Sequence, residues 1–386
     1  MNHFSKIDMG EVTRLTRAGK LAEAMALLQG QTAAANEESS REPHRTKAMS
    51  PTIEMQAPTV QGGAWTAPLA RKMATFRDPL SELGLSGPRK GSGSFRRSVV
   101  RVPEGARFEE RAFSNDLGSR TYKVYVPSRY SGEALPVVVM LHGCTQDPDD
   151  FAAGTRMNEL AEEKSFLVAY PRQSQSANPQ RCWNWFNTED QRRNGAEPSL
   201  IAGIALQVIE EFHAEPTRVY VAGLSAGGAA AAIMGATYPD LFAAVGVHSG
   251  LTCGAASDMP SAFTAMAGNA TIAPGGRGRT VPTIVFHGDA DRTVNPVNSD
   301  HIVAQARRQG PLTKVVARGE APGGMSYSRT VHSDAAGAEV VEQWLLHGAG
   351  HAWSGGSASG SYTDPRGPDA SREMIRFFLR HAKATA

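Results

Sequence analysis

Five short, almost uninterrupted apolar runs recur between residues 136 and 288: PVVVMLHG, FLVAYP, RVYVAG, AAVGVHSG and VPTIVFHG. A strand that is apolar at every position has no face to offer water, so both faces of its sheet must be covered. Between the runs lie segments with helical spacing, MNELAEEK, LIAGIALQVIEEFHA, SAGGAAAAIMGATYP and PVNSDHIVAQARRQ. Strands alternating with helices predict an α/β architecture, a mostly parallel sheet with helices on both faces. TYKVYVP (121–127) alternates as a strand does, EVVEQWLLHG (339–348) predicts a late strand, and SREMIRFFLRHA (371–382) a final amphipathic helix.

The first hundred residues do not share this pattern. Residues 1–30 predict a helical segment, with Val12, Leu15, Leu21, Met25 and Leu28 at three- and four-residue spacing broken near Gly19. Residues 31–106 turn to Gln, Ser, Pro, Gly and charge, which reads as a mostly disordered linker. Residues 107–386 are then the expected α/β domain, and the N-terminal part a flexible extension to it.

At 386 residues, 41% apolar and 20% charged, the chain can bury a large core. A net charge of +2, with basic residues scattered, gives no electrostatic reason to expect nucleic acid as a partner. No apolar run is long enough for a transmembrane segment, and the first twenty residues lack the apolar stretch of a secretory signal, so the expected location is cytoplasmic. Cys144, Cys182 and Cys253 are too few for a disulfide scaffold. A Cys144–Cys182 bridge is compatible with an exported protein, the alternative location.

In open α/β sheets, reactive groups sit on loops beyond the carboxyl ends of the strands. Ser225 follows RVYVAG in the pattern Gly-x-Ser-x-Gly, a sharp strand-to-helix turn that lifts a serine hydroxyl above the sheet. Asp291 lies in HGDADRTV, past VPTIVFHG, and His351 in HGAGHAWSGG, past EVVEQWLLHG. A serine hydroxyl needs a base in hydrogen-bond reach, and the base needs an anion to fix its tautomer. The expected roles are Ser225 nucleophile, His351 base then acid, and Asp291 orienter. Asp289 competes for the last role, but the longer excursion of Asp291 from the strand end favours it. The oxyanion calls for two backbone N–H donors, expected from Ala226, just after the nucleophile, and Cys144, in the loop after PVVVMLHG. His142, His248 and His287 end strands and are expected to hydrogen-bond loop backbone.

The aromatic cluster RCWNWFN predicts Trp183 and Trp185 as walls of a substrate pocket, with Trp353 joining them from beside the base. No metal-ligand spacing occurs and no cofactor is expected; the Gly-rich Pro274–Arg279 stretch lacks the Lys-Ser/Thr of a phosphate loop.

Together LHGCTQ, CWNWF, GLSAGG, HGDADRTV, GAGHAWSGG and TDPRGPDAS resemble the polyhydroxybutyrate-depolymerase-type esterases, an α/β-hydrolase branch related to feruloyl and acetylxylan esterases. The resemblance covers roughly residues 107–383 and implies a serine carboxylic-ester hydrolase whose catalytic positions fall on Ser225, Asp291 and His351. Its expected substrates are poly- or oligo(3-hydroxybutyrate) or related short hydroxyalkanoate esters, cleaved through an acyl-enzyme. Neither a signal peptide nor the C-terminal binding domain of the secreted polymer-degrading members is recognisable. Soluble oligomers or amorphous storage granules therefore suit the chain better than crystalline polymer, and the N-terminal segment could hold it to a granule surface. A feruloyl- or acetylxylan-type esterase is the alternative, and a non-catalytic granule-binding protein the third reading.

Overall fold

The computed structural model describes residues 100–270, 281–307 and 310–384. The expected helical segment at 1–30, and the linker up to residue 99, lie outside the described residues.

The sheet has ten strands. In chain order these are β1 (Arg107–Asn115), β2 (Gly118–Val126), β3 (Val137–Leu141), β4 (Leu167–Pro171), β5 (Val219–Leu224), β6 (Ala244–His248), β7 (Thr283–Gly288), β8 (Thr313–Glu320), β9 (Ser326–Ser333) and β10 (Glu339–Leu346). They lie in the order β1-β2-β4-β3-β5-β6-β7-β10-β9-β8. The central strands β4, β3, β5, β6, β7 and β10 run parallel, and an antiparallel hairpin closes each flank. The short β11 (Trp353–Ser354) and β12 (Thr363–Asp364) pair separately.

Helices cover both faces. They are α1 (Pro148–Thr155), α2 (Met157–Lys164), α3 (Ala196–Glu211), α4 (Ala226–Thr237), α5 (Met259–Met266), α6 (Val297–Arg307) and α7 (Ala370–Phe378). Strand β3 shows why a continuous apolar run is required. Val137, Val139 and Leu141 pack into a core with Ile201 and Ile204 of α3 and Ala229 of α4. Val138 and Met140 point the other way, into a second core with Phe151 of α1, Met157 of α2 and Met374 and Phe378 of α7. Side chains alternate along a strand, so a strand between two cores needs apolar residues at odd and even positions alike.

Elements beyond the sequence expectation are β1, the β8–β9 hairpin, the short β11–β12 pair, α1 and α5. Strand β8 is exposed at nearly every residue, so its pattern carries no buried face. Helix α1 carried its signal openly: Asp147 caps it, its side chain accepting from the Asp150 N–H (3.0 Å), and Pro148 opens the first turn.

Candidate active site

Strand β5 passes into α4 through Ser225, whose φ of 57° and ψ of −120° are rare for a residue with a side chain. The Ser225 N–H donates to His248 O (2.9 Å) at the end of β6, pinning the turn. The flanking glycines are steric necessities. A Cβ on Gly227 would stand 2.0 Å from the Leu141 carbonyl oxygen, and one on Gly223 2.3 Å from the Gly227 carbonyl carbon. Helix α4 therefore starts directly against β3, and larger residues at either position would push the elbow away from the sheet.

Asp291 and His351 meet beyond β7 and β10. The His351 Nδ1–H donates to Asp291 Oδ2 (2.7 Å), which leaves Nε2 as the basic ring nitrogen. The Asp291 carboxylate is buried, and its Oδ1 accepts from the Thr293 N–H (2.8 Å) and the Val294 N–H (3.0 Å). Burial raises its pKa, but hydrogen bonds with His287 and His351 outweigh this and hold it well below the usual carboxylate range. Asp289, the competing residue, faces elsewhere: its Oδ2 accepts from His347 Nδ1 (2.9 Å) and its Oδ1 from the Gly348 N–H (2.7 Å).

The loop that follows His351 is tied to the elbow through His248. His248 Nε2 accepts from the Ser354 N–H (3.0 Å), and its ring stacks on Trp353 at 5.1 Å. Ser225 Oγ makes no hydrogen bond among the described residues, so none joins it to His351. Catalytic hydrogen bonds commonly tighten only when substrate is bound.

On the other side of the serine, a Cβ on Gly143 would lie 3.7 Å from Ser225 Cβ, which puts the loop after β3 against the elbow. The Cys144 and Ala226 amides donate to no acceptor among the described residues. That loop is braced. Cys144 is disulfide-bonded to Cys182, and Thr145 N–H donates to Gln180 O (2.6 Å). His142 donates from Nδ1 to Gly143 O (2.8 Å) and accepts at Nε2 from the Gln173 N–H (3.1 Å).

Sequence reasoning missed the carboxylate at the root of this brace. Glu197 of α3 is buried and accepts from the Asn184 N–H (2.7 Å), Asn184 Nδ2 (2.8 Å) and Gln173 Nε2. Gln173 Nε2 also donates to Cys182 O (2.9 Å). Burial first, and then the nearby Asp190 charge, push Glu197 up to about 7.

Two expectations need correction. Trp183, Trp185 and Trp353 do not wall an open pocket, because they are 0%, 7% and 1% exposed and serve the cores. Trp183 Nε1 donates to His142 O (3.0 Å), Trp185 packs edge-on to Phe186, and Trp353 Nε1 donates to Ser371 Oγ (3.0 Å). Large aromatic rings that find a partner for their polar atom are buried as readily as exposed ones. The Cys144–Cys182 bridge also runs against the cytoplasmic expectation, since such bonds persist where thiols are not kept reduced. Cys253 is a free thiol. Among the described residues no helix is long and apolar enough to cross a membrane, and no cluster of His, Cys, Asp and Glu could hold a metal ion.

A parallel sheet between two helical layers, with a strained serine elbow and strand-end Asp and His following in that order, defines an α/β-hydrolase. Residues 120–322 match the family described as Esterase PHB depolymerase, and the chain belongs to that family. It is 32% identical over 251 residues to poly(3-hydroxyalkanoate) depolymerase C of Paucimonas lemoignei, covering 62% of this chain and 60% of that protein. It is 29% identical over 219 residues to a probable acetylxylan esterase A of Neosartorya fischeri, covering 52% of this chain and 58% of that protein. Feruloyl esterase B of Neurospora crassa is 30% identical over 207 residues, 47% of this chain and 67% of that protein. The chain thus spans about 60% of the length of the first two relatives. Among solved structures, the acetyl xylan esterase from Aspergillus awamori shares the fold, with a TM-score of 0.56 at 21% identity, covering 71% of this chain and 99% of that one.

Proposed function

We propose that the protein is a serine carboxylic-ester hydrolase that works through an acyl-enzyme on Ser225. The observation that carries this reading is the 2.7 Å His351 Nδ1–Asp291 Oδ2 hydrogen bond, set beyond a sheet whose strained strand-to-helix turn carries Ser225.

In the proposed reaction His351 Nε2 takes the Ser225 Oγ proton as the oxygen attacks the ester carbonyl carbon. The Cys144 and Ala226 amides receive the developing oxyanion. His351 then gives the proton to the departing alkoxide, so the alcohol leaves and Ser225 keeps the acyl group. Water, deprotonated by the same nitrogen, hydrolyses the acyl-enzyme and returns the serine. Asp291 stays ionised throughout and stabilises the imidazolium.

The proposed substrates are poly- or oligo(3-hydroxybutyrate) or related short hydroxyalkanoate esters. The likeness to a poly(3-hydroxyalkanoate) depolymerase supports this choice. The burial of Trp183, Trp185 and Trp353 removes the aromatic wall that would have favoured an aromatic acyl group. Acetylated polysaccharide is the second reading, favoured by the relatives named acetylxylan esterase. Product release from amorphous polyhydroxybutyrate, its soluble oligomers, acetylated xylan and methyl ferulate separates the two. Hydroxybutyrate as the main product is expected; acetate alone would overturn the substrate assignment and leave the ester chemistry standing. We further propose that the domain matures in an oxidising compartment, where the Cys144–Cys182 bond forms. Granule binding by the N-terminal segment rests on residues outside those described.

A further inference from the structure

A second Ser–His–Asp chain is assembled on the far flank of the sheet. Ser328 lies within β9, His347 follows β10, and Asp289 follows β7. Asp289 Oδ2 accepts from His347 Nδ1–H (2.9 Å), and His347 Nε2 lies 2.9 Å from Ser328 Oγ. With Nδ1 protonated, Nε2 is the acceptor, so the serine hydroxyl donates to it. The Gly348 N–H donates to Asp289 Oδ1 (2.7 Å) and fixes the carboxylate, whose pKa burial would raise but the His347 contact brings down. This is nucleophile, base and orienter in one hydrogen-bonded line. His347 and Asp289 are each more than a third exposed, so reagents can reach them.

The line opens onto a cleft of about 340 Å³ whose walls include Asp289, Ser328, Ser299, Thr330, Gln343 and Leu345. That volume is at the lower end of small-molecule sites. Asp289 and Asp300, both on its wall, disfavour anionic ligands.

We propose that Ser328, His347 and Asp289 form a second nucleophilic site, separate from Ser225, that accepts acyl groups from small uncharged esters. His347 Nε2 takes the Ser328 Oγ proton while the Oγ–C bond to the acyl group forms. The ester C–O bond then breaks, and the alcohol leaves with that proton. Ser328 differs from Ser225 in one respect that sets its rate. It sits between two antiparallel neighbours, opposite Leu345 of β10 and Arg318 of β8, so the amides around it serve the sheet ladder. Without free amides to receive an oxyanion, Ser328 reacts at least about 100-fold more slowly than Ser225.

The test is exposure of the full chain to diisopropyl fluorophosphate, followed by peptide mapping of the adducts. The chemistry is parallel: an Oγ–P bond forms, the P–F bond breaks, and fluoride leaves while the proton passes to His347. The expected result is a slow adduct on Ser328 in both the wild type and Ser225→Ala, lost in His347→Ala. No adduct at Ser328 in folded wild-type protein would overturn the proposal, as would an adduct forming at an unchanged rate in His347→Ala. Ser225 labelling is read from its own peptide in the same digest, so failure of either site is seen separately.

Discussion

Ser225 combines strain with its proposed role as nucleophile: a backbone in a sparsely populated region costs on the order of 1–3 kcal/mol and persists only where its surroundings demand it. Here the demand comes from Leu141 and His248, whose carbonyl oxygens contact Gly227 and the Ser225 N–H. Gly227→Ala should therefore destabilise the fold by about 3 kcal/mol, readable as a drop in the denaturation midpoint, because the clash is with backbone that cannot swing aside. The positions proposed as nucleophile, orienter and base were legible in the sequence as loop residues beyond β5, β7 and β10. The choice between Asp291 and Asp289 was legible only as a preference, and the two carboxylates turn out to serve different histidines. Asp291→Asn should lower kcat by about three to four orders of magnitude, because it frees His351 to adopt the unproductive tautomer. Equal turnover by this variant would assign the orienting role elsewhere.

Among the elements, the loop between β4 and α3 carries the brace that steadies the proposed oxyanion donor. It joins Glu197, Gln173 and Asn184 to Cys182, and through the disulfide to Cys144. Of this, the sequence offered only the Cys144–Cys182 pairing, as a bridge compatible with export; the polar brace was not legible. A cysteine pair 38 residues apart has no spacing signature, and a glutamate in the first turn of a helix normally points to solvent. The tryptophans of the same loop misled for a related reason, since sequence shows how large a ring is but not whether its N–H finds a buried carbonyl. Closing a 38-residue loop constrains the unfolded chain by about 4 kcal/mol in the chain-entropy model. Cys144→Ser/Cys182→Ser should lose a comparable amount in chemical denaturation and also lose kcat more than KM, since the oxyanion donor moves. Undiminished kcat in the folded double variant would remove Cys144 from that role.

For the molecule as a whole, the buried histidines and Glu197 set the response to acid. Burial lowers His142 to about 4 and His248 to about 3, and each uses Nε2 as an acceptor that protonation would destroy. Below their ordinary range near 6.5 the unfolded chain binds more protons than the folded one, so stability falls as pH drops from about 6.5 towards 4. Glu197 acts in the opposite sense. Its raised pKa means the folded chain holds a proton that the unfolded chain releases, so its contribution is present below the ordinary glutamate range and is lost as pH rises towards 7. Two histidines outweigh one glutamate, and the net expectation is acid lability, steeper in Glu197→Gln. Denaturation midpoints at a series of pH values check this; a flat profile between pH 4 and 6.5 would contradict it. The same two-core architecture explains how the fold could be read from sequence, because strands that must serve both cores announce themselves as continuous apolar runs, whereas the exposed β8 does not.

The central claim is that Ser225 and His351 act as one unit. Its most direct measurement is kcat/KM for ester hydrolysis by Ser225→Ala, His351→Ala and the double variant. Residues acting as a unit are not additive, so each single change should cost about 10⁴-fold or more and the double no more than either. Additive losses, or hydrolysis that survives in Ser225→Ala near the wild-type rate, would contradict the assignment.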